Sequence, residues 1–405
     1  MTTVCDPEVR EPAGRRLRDR VEAEAYVASV CFKHGPPRLV GVELQWTVHH
    51  RDDPRRPIDP DHLAAALGAH VPRTLRPDSP ARPLPAGSPL TLEPGGQVEI
   101  SALPHESFGA LVETVDADTV HLVNLLAASG LELGTSGLDP HRTPRRVLDT
   151  PRYTAMETAF APIGPHGITM MCNSAGLQVC LDAGEGEQVG LRWSAVTALG
   201  PVLTSLFSTS ARPDWACARL NTIVNVDPSR TSPLGIVADP AQVWARQVLD
   251  TPLLCRRQVG GCWDAPAGVT FADWIAGALP EPPTEEDLDY HITTMFPPVR
   301  PHGYLEVRYL DSQPAGDWLP AAALLTALMS DDATTAAALE ATLPLADAWH
   351  RAARQGLTDP DIAAAAAAVV RLGTDALPAL DLPPPRADDV VRRWDGLVRR
   401  AGGLA

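Results

Sequence analysis

The chain has 405 residues, 44% of them hydrophobic, so it can bury a large core as one big domain or as two to three smaller ones. Its net charge of −16 argues against nucleic acid or an anionic membrane as the main partner, since both bind basic surfaces. No segment approaches the apolar length of a membrane span, and residues 1–20 lack the apolar stretch of a secretory signal. Seven scattered cysteines without a CxxC pair indicate reduced thiols, so we expect a cytoplasmic protein.

The first predicted elements are a helix and a strand, separated by two prolines. Leu17 to Cys31 is predicted to be helical, and Pro36-Pro37 prevent its continuation. Val40 to His49 alternates polar and apolar residues, which predicts a strand with Glu43 and Gln45 on one face.

A second polar strand face follows an irregular segment. Residues 72–89 are rich in proline and arginine without periodicity, so they should form a surface loop. Residues 92–101 (LEPGGQVEIS) predict a turn that leads into a strand. The polar face of this strand carries Gln97, Glu99 and Ser101. A helix from Phe108 should end near Gly130.

The middle of the chain repeats the polar strand pattern. Leu177 to Asp182 predicts a strand with Gln178 on its polar face. A helix from Glu187 to Phe207 should follow, bent or split near Gly200-Pro201. The stretch from Arg219 to Arg230 is predicted to mix strand and loop.

The last polar strand face precedes a helical C-terminal region. Tyr304 to Arg308 predicts a strand that carries Glu306 on the same face as Arg308. Beyond Pro314 the chain becomes alanine-rich and helical, and Gly373 is predicted to stop one of these helices. Neither a repeat nor a clear linker is present, so one large domain is favoured.

Carboxylates on these strand faces suggest a metal site. The oxygen donors come from four strands and one strand-entry turn, and they are Glu43, Glu93, Glu99, Gln178 and Glu306. Carboxylates that are gathered together repel one another, and a divalent cation removes this cost. Oxygen ligands without a Cys or His pattern favour Mg²⁺ or Mn²⁺ over Zn²⁺. Taken singly, each glutamate fits a solvated strand face as well, and from the residues alone both interpretations stay open.

The basic residues limit how an anion can be held. Lys33 is the single lysine among 34 basic residues, which argues against a P-loop, a protein-kinase lysine or a Schiff-base lysine. Arginine, a metal or backbone amides must therefore hold any anion. Arg308 shares a strand face with Glu306, which suits a bidentate clamp on a substrate carboxylate. Arg219 and Arg230 are weaker candidates, because arginine is abundant in this chain.

Segments that hold these residues resemble, in order and spacing, the plant-type glutamate–cysteine ligase family. They are LEPGGQVEIS (92–101), MM (170–171) with LQVCLD (177–182), DPSRT (227–231), HITTMFPPVR (291–300) and GYLEVRYLD (303–311). The match extends from about residue 40 to residue 330. The divergent C-terminal helices and the arginine-rich composition resemble the actinobacterial branch, in which this ligase feeds ergothioneine synthesis.

The resemblance implies a glutamine synthetase-like α+β fold. In that fold a curved, mainly antiparallel sheet lines the active site and helices pack outside it. We expect residues 1–330 to form the catalytic domain and the alanine-rich helical residues 331–405 to pack on the same domain. The implied reaction uses ATP to phosphorylate the γ-carboxylate of glutamate, after which the amine of cysteine attacks to give γ-glutamylcysteine. Mg²⁺, or Mn²⁺ in its place, is the implied cofactor.

The resemblance also implies roles for individual residues. The metal-site residues would be Glu43, Gln45, Glu93, Glu99, Gln178 and Glu306. Arg308 and Glu306 would be catalytic, with Arg308 contacting the transferring phosphate or the γ-carboxylate. Arg219 and Arg230 would bind substrate carboxylates or phosphate.

One departure from the family pattern concerns the first strand. The superfamily commonly has Glu-x-Glu there, whereas this chain has Glu43-Leu44-Gln45. A neutral amide can still coordinate through oxygen, but the lost charge should lower metal affinity.

Two alternative functions stay open: a ligase that passes the glutamyl group to another amine, and a catalytically silent paralogue that binds glutamate or nucleotide. Gln45 motivates the second alternative, and the intact carboxylates and Arg308 count against it.

Overall fold

The computed structural model describes residues 14–258 and 261–402. Residues 1–13, part of the stretch for which no signal is predicted, lie outside the described residues. The strands are β1 (Val40–Trp46), β2 (Val48–His50), β3 (Leu90–Leu92), β4 (Val98–Ser101), β5 (Leu131–Leu133), β6 (Gly176–Leu181), β7 (Val299–Pro301) and β8 (Leu305–Asp311). The helices are α1 (Arg20–Cys31), α2 (Pro60–Leu67), α3 (Phe108–Ala128), α4 (Pro151–Phe160), α5 (His166–Asn173), α6 (Glu187–Leu206), α7 (Ala218–Val224), α8 (Pro228–Thr231), α9 (Pro240–Asp250), α10 (Phe271–Asp273), α11 (Glu285–Ile292), α12 (Leu319–Leu328), α13 (Asp332–Thr342), α14 (Trp349–Gln355), α15 (Pro360–Ala376) and α16 (Pro384–Gly402).

The polar strands belong to one sheet. In the described part of the chain, this sheet has the order β3-β4-β1-β6-β8-β7, and every pair is antiparallel. The register places Glu43 opposite Gln178 on β6, and Arg300 on β7 opposite Glu306 on β8. β2 and β5 form a separate two-stranded sheet. The predicted α+β class with a mainly antiparallel sheet is confirmed.

The sheet separates an apolar core from a polar cavity. Val42, Leu44 and Trp46 of β1 are buried on one face. α6 contacts β8 and α12 contacts β6, and α12 is buried along its whole length. Because side chains alternate along a strand, Glu43 and Gln45 lie on the opposite face.

Several local predictions are wrong. The segment from Arg219 to Arg230, predicted as strand and loop, contains the helices α7 and α8, because α7 packs against α5 and α14. For α6, of the two predicted alternatives, bent or split near Pro201, the split is wrong, because the helix continues to Leu206. α15 does not stop at Gly373, where a glycine is needed for close packing: a Cβ there would lie 2.2 Å from Leu324 Cδ1 on α12.

The C-terminal helices pack on the rest of the chain. α13 contacts α6, and α15 contacts both α6 and α12. The indole N–H of Trp394 on α16 donates to the carbonyl of Pro320 at 2.9 Å, and the Trp394 side chain is fully buried. We propose on these contacts that residues 331–405 are a helical region of the same domain as residues 1–330.

One helical stretch corrects the expectation about membrane spans. Pro360–Leu380 has the length and apolar composition of a spanning helix, and 39% of it is buried inside the protein. Its buried side includes Ile362, Ala366 and Val369. Because α15 contacts α6, α12 and α13, this apolar side is used as the face of a core helix.

Candidate active site

A cavity of about 560 Å³ lies on the polar face of the sheet. Its lining includes Glu43, Gln45, Glu93, Glu99, Gln178, Arg219, Glu306 and Arg308. The structure therefore brings together every predicted site residue except Arg230. Strand alternation explains this result, since β1, β4, β6 and β8 each turn their polar face toward the cavity.

The turn between β3 and β4 sets the position of Glu93. The N–H of Glu93 donates to the carbonyl of Gln97, and the N–H of Gly96 donates to the carbonyl of Glu93, both at 2.9 Å. Gly96 has a φ of +83°, which favours glycine. At Gly95 a Cβ would lie 2.1 Å from the carbonyl oxygen of Cys172, so the turn must approach α5 closely.

Two carboxyl groups in the cavity lie where negative charge is disfavoured. Burial, together with Glu99 and Glu306, raises the pKa of Glu43 well above its usual value. Burial and the neighbouring Glu99 raise the pKa of Glu93 to about 7. Nε2 of Gln178 donates to Glu43 at 2.9 Å, but an amide supplies no net charge. This part of the cavity therefore favours a cationic ligand.

Glu306 has the opposite environment. Nε and Nη2 of Arg300 donate to its two oxygens at 2.6 and 3.0 Å, and Nη1 of Arg308 donates at 2.9 Å. Burial alone would raise the pKa of Glu306, but the two guanidinium groups lower it to about 2. The sequence reasoning missed Arg300, although Arg300 ends one of the quoted motifs. The β7–β8 pairing that sets it opposite Glu306 could have identified it.

The two glutamines are not oriented as metal ligands. Oε1 of Gln45 accepts from the N–H of Gly176 at 3.1 Å, and its Nε2 donates to Glu99 at 2.5 Å. Oε1 of Gln178 accepts from Nη1 of Arg308 at 2.5 Å, while its Nε2 faces Glu43. Both amide groups turn nitrogen, not oxygen, toward a carboxylate. In this arrangement neither amide oxygen faces the carboxylates, and coordination of a cation by Gln45 and Gln178 stays a prediction.

Arg219 lines the cavity but acts on the backbone of β8. Its Nη1 donates to the carbonyl of Leu310 at 3.1 Å and its Nη2 to the carbonyl of Arg308 at 3.2 Å. Among residues 14–258 and 261–402 its Nε has no hydrogen-bond partner, and Asp311 lies 3.8 Å from Nη1. Burial lowers the pKa of Arg219 to about 10. Arg219 therefore positions the strand that carries Arg308.

Arg230 is not in the cavity. It is 1% exposed and donates from Nε to Asp227 at 2.9 Å and from Nη1 to Thr294 Oγ1 at 3.0 Å. Nη2 donates to the carbonyl of Pro252. Because these contacts hold all three nitrogens inside the protein, the prediction that Arg230 binds substrate does not fit its placement.

An aromatic and cationic cluster on the other side of the cavity was not predicted. The guanidinium groups of Arg152 and Arg257 lie 5.0 and 4.8 Å from the ring centroid of Tyr290. Trp263 packs edge-on against the same ring at 5.8 Å. These residues come from separate segments and form no motif, so the sequence contains no signal that would join them.

A second cavity of about 230 Å³ adjoins the first. Both cavities include Glu43 and Tyr304 in their lining. The second is mainly apolar, and its lining includes Leu39, Leu103, Pro89, Pro104, Gly41 and Cys180. Leu39 and Leu103 are 40% and 58% exposed. The two cavities thus form one trough along the sheet, with carboxylates near its middle.

The donor set suits a hard divalent cation, but the side chains would have to move to bind one. Carboxylate oxygens are the ligands that Mg²⁺ prefers, and burial together with Glu99 raises the pKa of both Glu43 and Glu93, so a bound cation would favour their charged forms. Within residues 14–258 and 261–402, no three carboxylate, imidazole or thiol groups are placed to hold one ion. Coordination therefore requires rotation of carboxylates around the cavity.

Comparisons with known proteins identify the family of this chain. The model of glutamate-cysteine ligase family 2 (GCS2) matches residues 39–389. The glutamate–cysteine ligase EgtA of Mycolicibacterium smegmatis is 38% identical over 370 residues, which is 88% of this chain and 85% of that protein. EgtA of Mycobacterium tuberculosis is 34% identical over 416 residues, 97% of this chain and 94% of that protein.

More distant relatives extend the comparison. The chloroplastic glutamate–cysteine ligase of Arabidopsis thaliana is 29% identical over 282 residues, 66% of this chain and 53% of that protein. Among solved structures, the glutamate–cysteine ligase of Francisella tularensis in complex with AMP has a TM-score of 0.52 at 12% identity, covering 91% of this chain and 82% of that chain. This last similarity concerns the fold alone. From the family match and the two bacterial relatives, the chain belongs to glutamate-cysteine ligase family 2.

Proposed function

We propose that this protein ligates the γ-carboxylate of glutamate to the amine of cysteine with consumption of ATP, giving γ-glutamylcysteine, ADP and phosphate. The observation that carries the proposal is the cavity itself, where carboxylates and paired arginines converge on one face of the sheet. The resemblance to the actinobacterial branch suggests that the product feeds ergothioneine synthesis. The reduced cysteines favour the cytoplasm as its location.

The reaction has two steps. First, a γ-carboxylate oxygen of glutamate attacks the γ-phosphorus of ATP, and ADP leaves. Second, the cysteine amine attacks the γ-acyl carbon, the acyl C–O bond breaks, the amine loses protons, and inorganic phosphate leaves. Activation is needed because a free carboxylate is a poor electrophile whose oxygen is a poor leaving group. The protein therefore has to bind negative charge on the phosphoryl group during transfer.

Arg308 is the residue best placed to bind that charge. Its Nη1 donates to Gln178 and Glu306. Within the described residues its Nε and Nη2 make no hydrogen bond, and its side chain is 22% exposed toward the cavity. Glu306 and Arg219 hold it from two sides, through its side chain and its backbone carbonyl. Such preorganisation lets a guanidinium bind developing charge at little further cost.

A divalent cation would be held by the carboxylates in the middle of the trough. Glu43, Glu93 and Glu99 are the candidate ligands, with Glu306 available if it exchanges one arginine. Bound Mg²⁺ would supply positive charge to the phosphates of ATP. Gln45 and Gln178 would position these carboxylates through N–H donation.

The second cavity is the proposed site of the nucleobase. It is mainly apolar, and two exposed leucines border it. A nucleotide whose base lies there would carry its phosphates past Glu43 and Tyr304, which both cavities share, toward Arg308. Glutamate and cysteine would then occupy the larger cavity, where Arg152 and Arg257 lie.

The test is release of ADP by purified protein with ATP, Mg²⁺ and glutamate, with and without cysteine, together with mass detection of the product. Cysteine-dependent ADP with γ-glutamylcysteine supports the proposal. Release that needs glutamate but not cysteine points to another amine acceptor. Nucleotide binding without turnover points to the silent paralogue. Glu306→Ala should abolish turnover and leave a cooperative melt, and near-normal activity of this variant would refute its role.

A further inference from the structure

The orientation of the Gln45 side chain is fixed by the backbone. Its Oε1 lies 3.1 Å from the nitrogen of Gly176, whose N–H can only donate. The oxygen of the amide must therefore face Gly176 and the amino group must face away. This amino group points into the carboxylate cluster, where a metal ligand would have to present oxygen.

The amino group of Gln45 lies between two carboxylates. Its Nε2 is 2.5 Å from Glu99 Oε2 and 3.5 Å from Glu93 Oε1. The other oxygen of Glu99 accepts from Thr91 Oγ1 at 2.7 Å and from Ser101 Oγ at 3.2 Å. Glu99 is 4% exposed, and neutral donors contact both of its oxygens. The Gln45 amino group thus takes a place that a cation bridging Glu93 and Glu99 would take.

We propose that Gln45 is a positioning residue that holds Glu93 and Glu99 together by N–H donation and replaces one divalent cation there. This proposal rests on the proposed function, because it concerns the metal content of the same site. N–H donation by Gln45 and coordination through its oxygen predict different numbers of bound ions in a Gln45→Glu variant. If Gln45 is an oxygen ligand, changing its amide to a carboxylate should make the same ions bind more tightly. If its N–H group instead takes the place of a cation, the change removes the donor and adds a negative charge that one more ion would balance.

The test counts Mn²⁺ bound per chain, using the electron paramagnetic resonance signal of free Mn²⁺ with the metal alone and with ADP added. We expect Gln45→Glu to bind one more Mn²⁺ than the parent protein. Gln242→Glu is the matched control, because it adds the same charge at an exposed position in the first turn of α9. It should bind the same number as the parent.

A second variant covers the case in which Gln45→Glu does not fold. Gln45→Met keeps the side-chain length and removes both the oxygen and the N–H groups. We expect it to bind as many Mn²⁺ ions as the parent, with affinity changed by less than about threefold, and to melt at a lower temperature without metal. Loss of an oxygen ligand would instead weaken Mn²⁺ binding by about tenfold or more.

The outcomes separate this inference from the proposed function. An unchanged ion count with tighter binding in Gln45→Glu, or weakened binding in Gln45→Met, overturns the surrogate role and leaves the metal site standing. If the parent binds no Mn²⁺ and Gln45→Glu binds one, the surrogate role is supported and the parent's metal site is refuted. No binding by either protein overturns both.

Discussion

Arg300 and Arg308 both hold Glu306, and their geometry predicts different consequences of removing them. Arg300 makes two hydrogen bonds to the Glu306 carboxylate and is 14% exposed, whereas Arg308 makes one and is 22% exposed. Glu306 is 2% exposed, so loss of its bidentate partner leaves a buried carboxylate with one cation. We expect Arg300→Ala to lower the free energy of unfolding by about 3 kcal/mol, the low end for breaking a buried pair. Arg308→Ala should cost about 2 kcal/mol, because it removes one hydrogen bond to the charged Glu306 and one to Gln178, while Arg300 stays bound to Glu306.

For activity we expect the opposite order, with Arg308→Ala causing the larger loss. Arg308 retains N–H groups that can donate to a phosphoryl group, whereas two nitrogens of Arg300 are committed to Glu306. We expect Arg308→Ala to lower kcat by about 10²- to 10³-fold, as loss of a preorganised donor does. Arg300→Ala acts through Glu306 and should lower kcat by about tenfold.

The assays are urea unfolding at neutral pH, followed by tryptophan fluorescence, and initial rates of ADP release. Arg300→Lys is the matched control, because it keeps the charge and loses the planar fork that reaches both oxygens of Glu306. It should recover only part of the lost stability. These separate roles of Arg300 in stability and Arg308 in activity are refuted if Arg308→Ala destabilises the protein more than Arg300→Ala does. They are also refuted if Arg300→Ala lowers kcat more than Arg308→Ala does.

Three further predictions concern other parts of the structure. Gly95→Ala should lower both the unfolding free energy and Mn²⁺ affinity, because its Cβ would lie 2.1 Å from the Cys172 carbonyl oxygen and displace the turn that carries Glu93. Gly316→Ala is the control for a turn glycine, because a Cβ there would have nothing within 4 Å and its φ is not positive. Burial lowers the pKa of His291 to about 3, against about 6.5 in an unfolded chain. Between these two pH values the unfolded state binds more protons than the folded state. The free energy of unfolding therefore falls as the pH falls through this window, by at most about 1.4 kcal/mol per pH unit. Urea unfolding at several pH values should show that the unfolding free energy of His291→Gln depends less steeply on pH than that of the parent protein. An unchanged pH dependence would contradict the role given to His291. Gly41→Leu should fill the second cavity and raise KM for ATP by about tenfold while KM for glutamate stays within about twofold, and the reverse pattern would place the nucleotide elsewhere.

The sequence could predict the polar face of the sheet because strand periodicity is a local property. Glu43, Glu99 and Glu306 each alternate with apolar neighbours over a few residues, and a two-residue period leaves one choice of face. The faces meet in one cavity because β1, β4, β6 and β8 lie in a single sheet. Local pattern and fold agree here, which is why the predicted carboxylates lie together.

Arginine roles were less predictable, because they depend on contacts between distant segments. Arg230 is 1% exposed and satisfied by Asp227, Thr294 and a backbone carbonyl. Arg300 lies in the cavity only through its pairing with β8. With 34 basic residues and a single lysine, residue type cannot rank these candidates. The hydrogen bonds and ion pairs of each arginine in the structure distinguish one that stabilises the fold from one that can bind a ligand.

The two glutamines show a further limit, since the sequence locates a residue on a strand face but not the direction in which its amide oxygen and nitrogen point. Strand alternation places Gln45 and Gln178 in the cavity but does not set the orientation of their amide groups. A donor on another segment sets it: the N–H of Gly176 for Gln45 and the guanidinium of Arg308 for Gln178. Turning the oxygen of Gln178 toward a cation would break a hydrogen bond to a side chain that can move, whereas turning that of Gln45 would break one to a backbone N–H that cannot follow it. The same amide side chain therefore has different chemistry at two positions of one sheet.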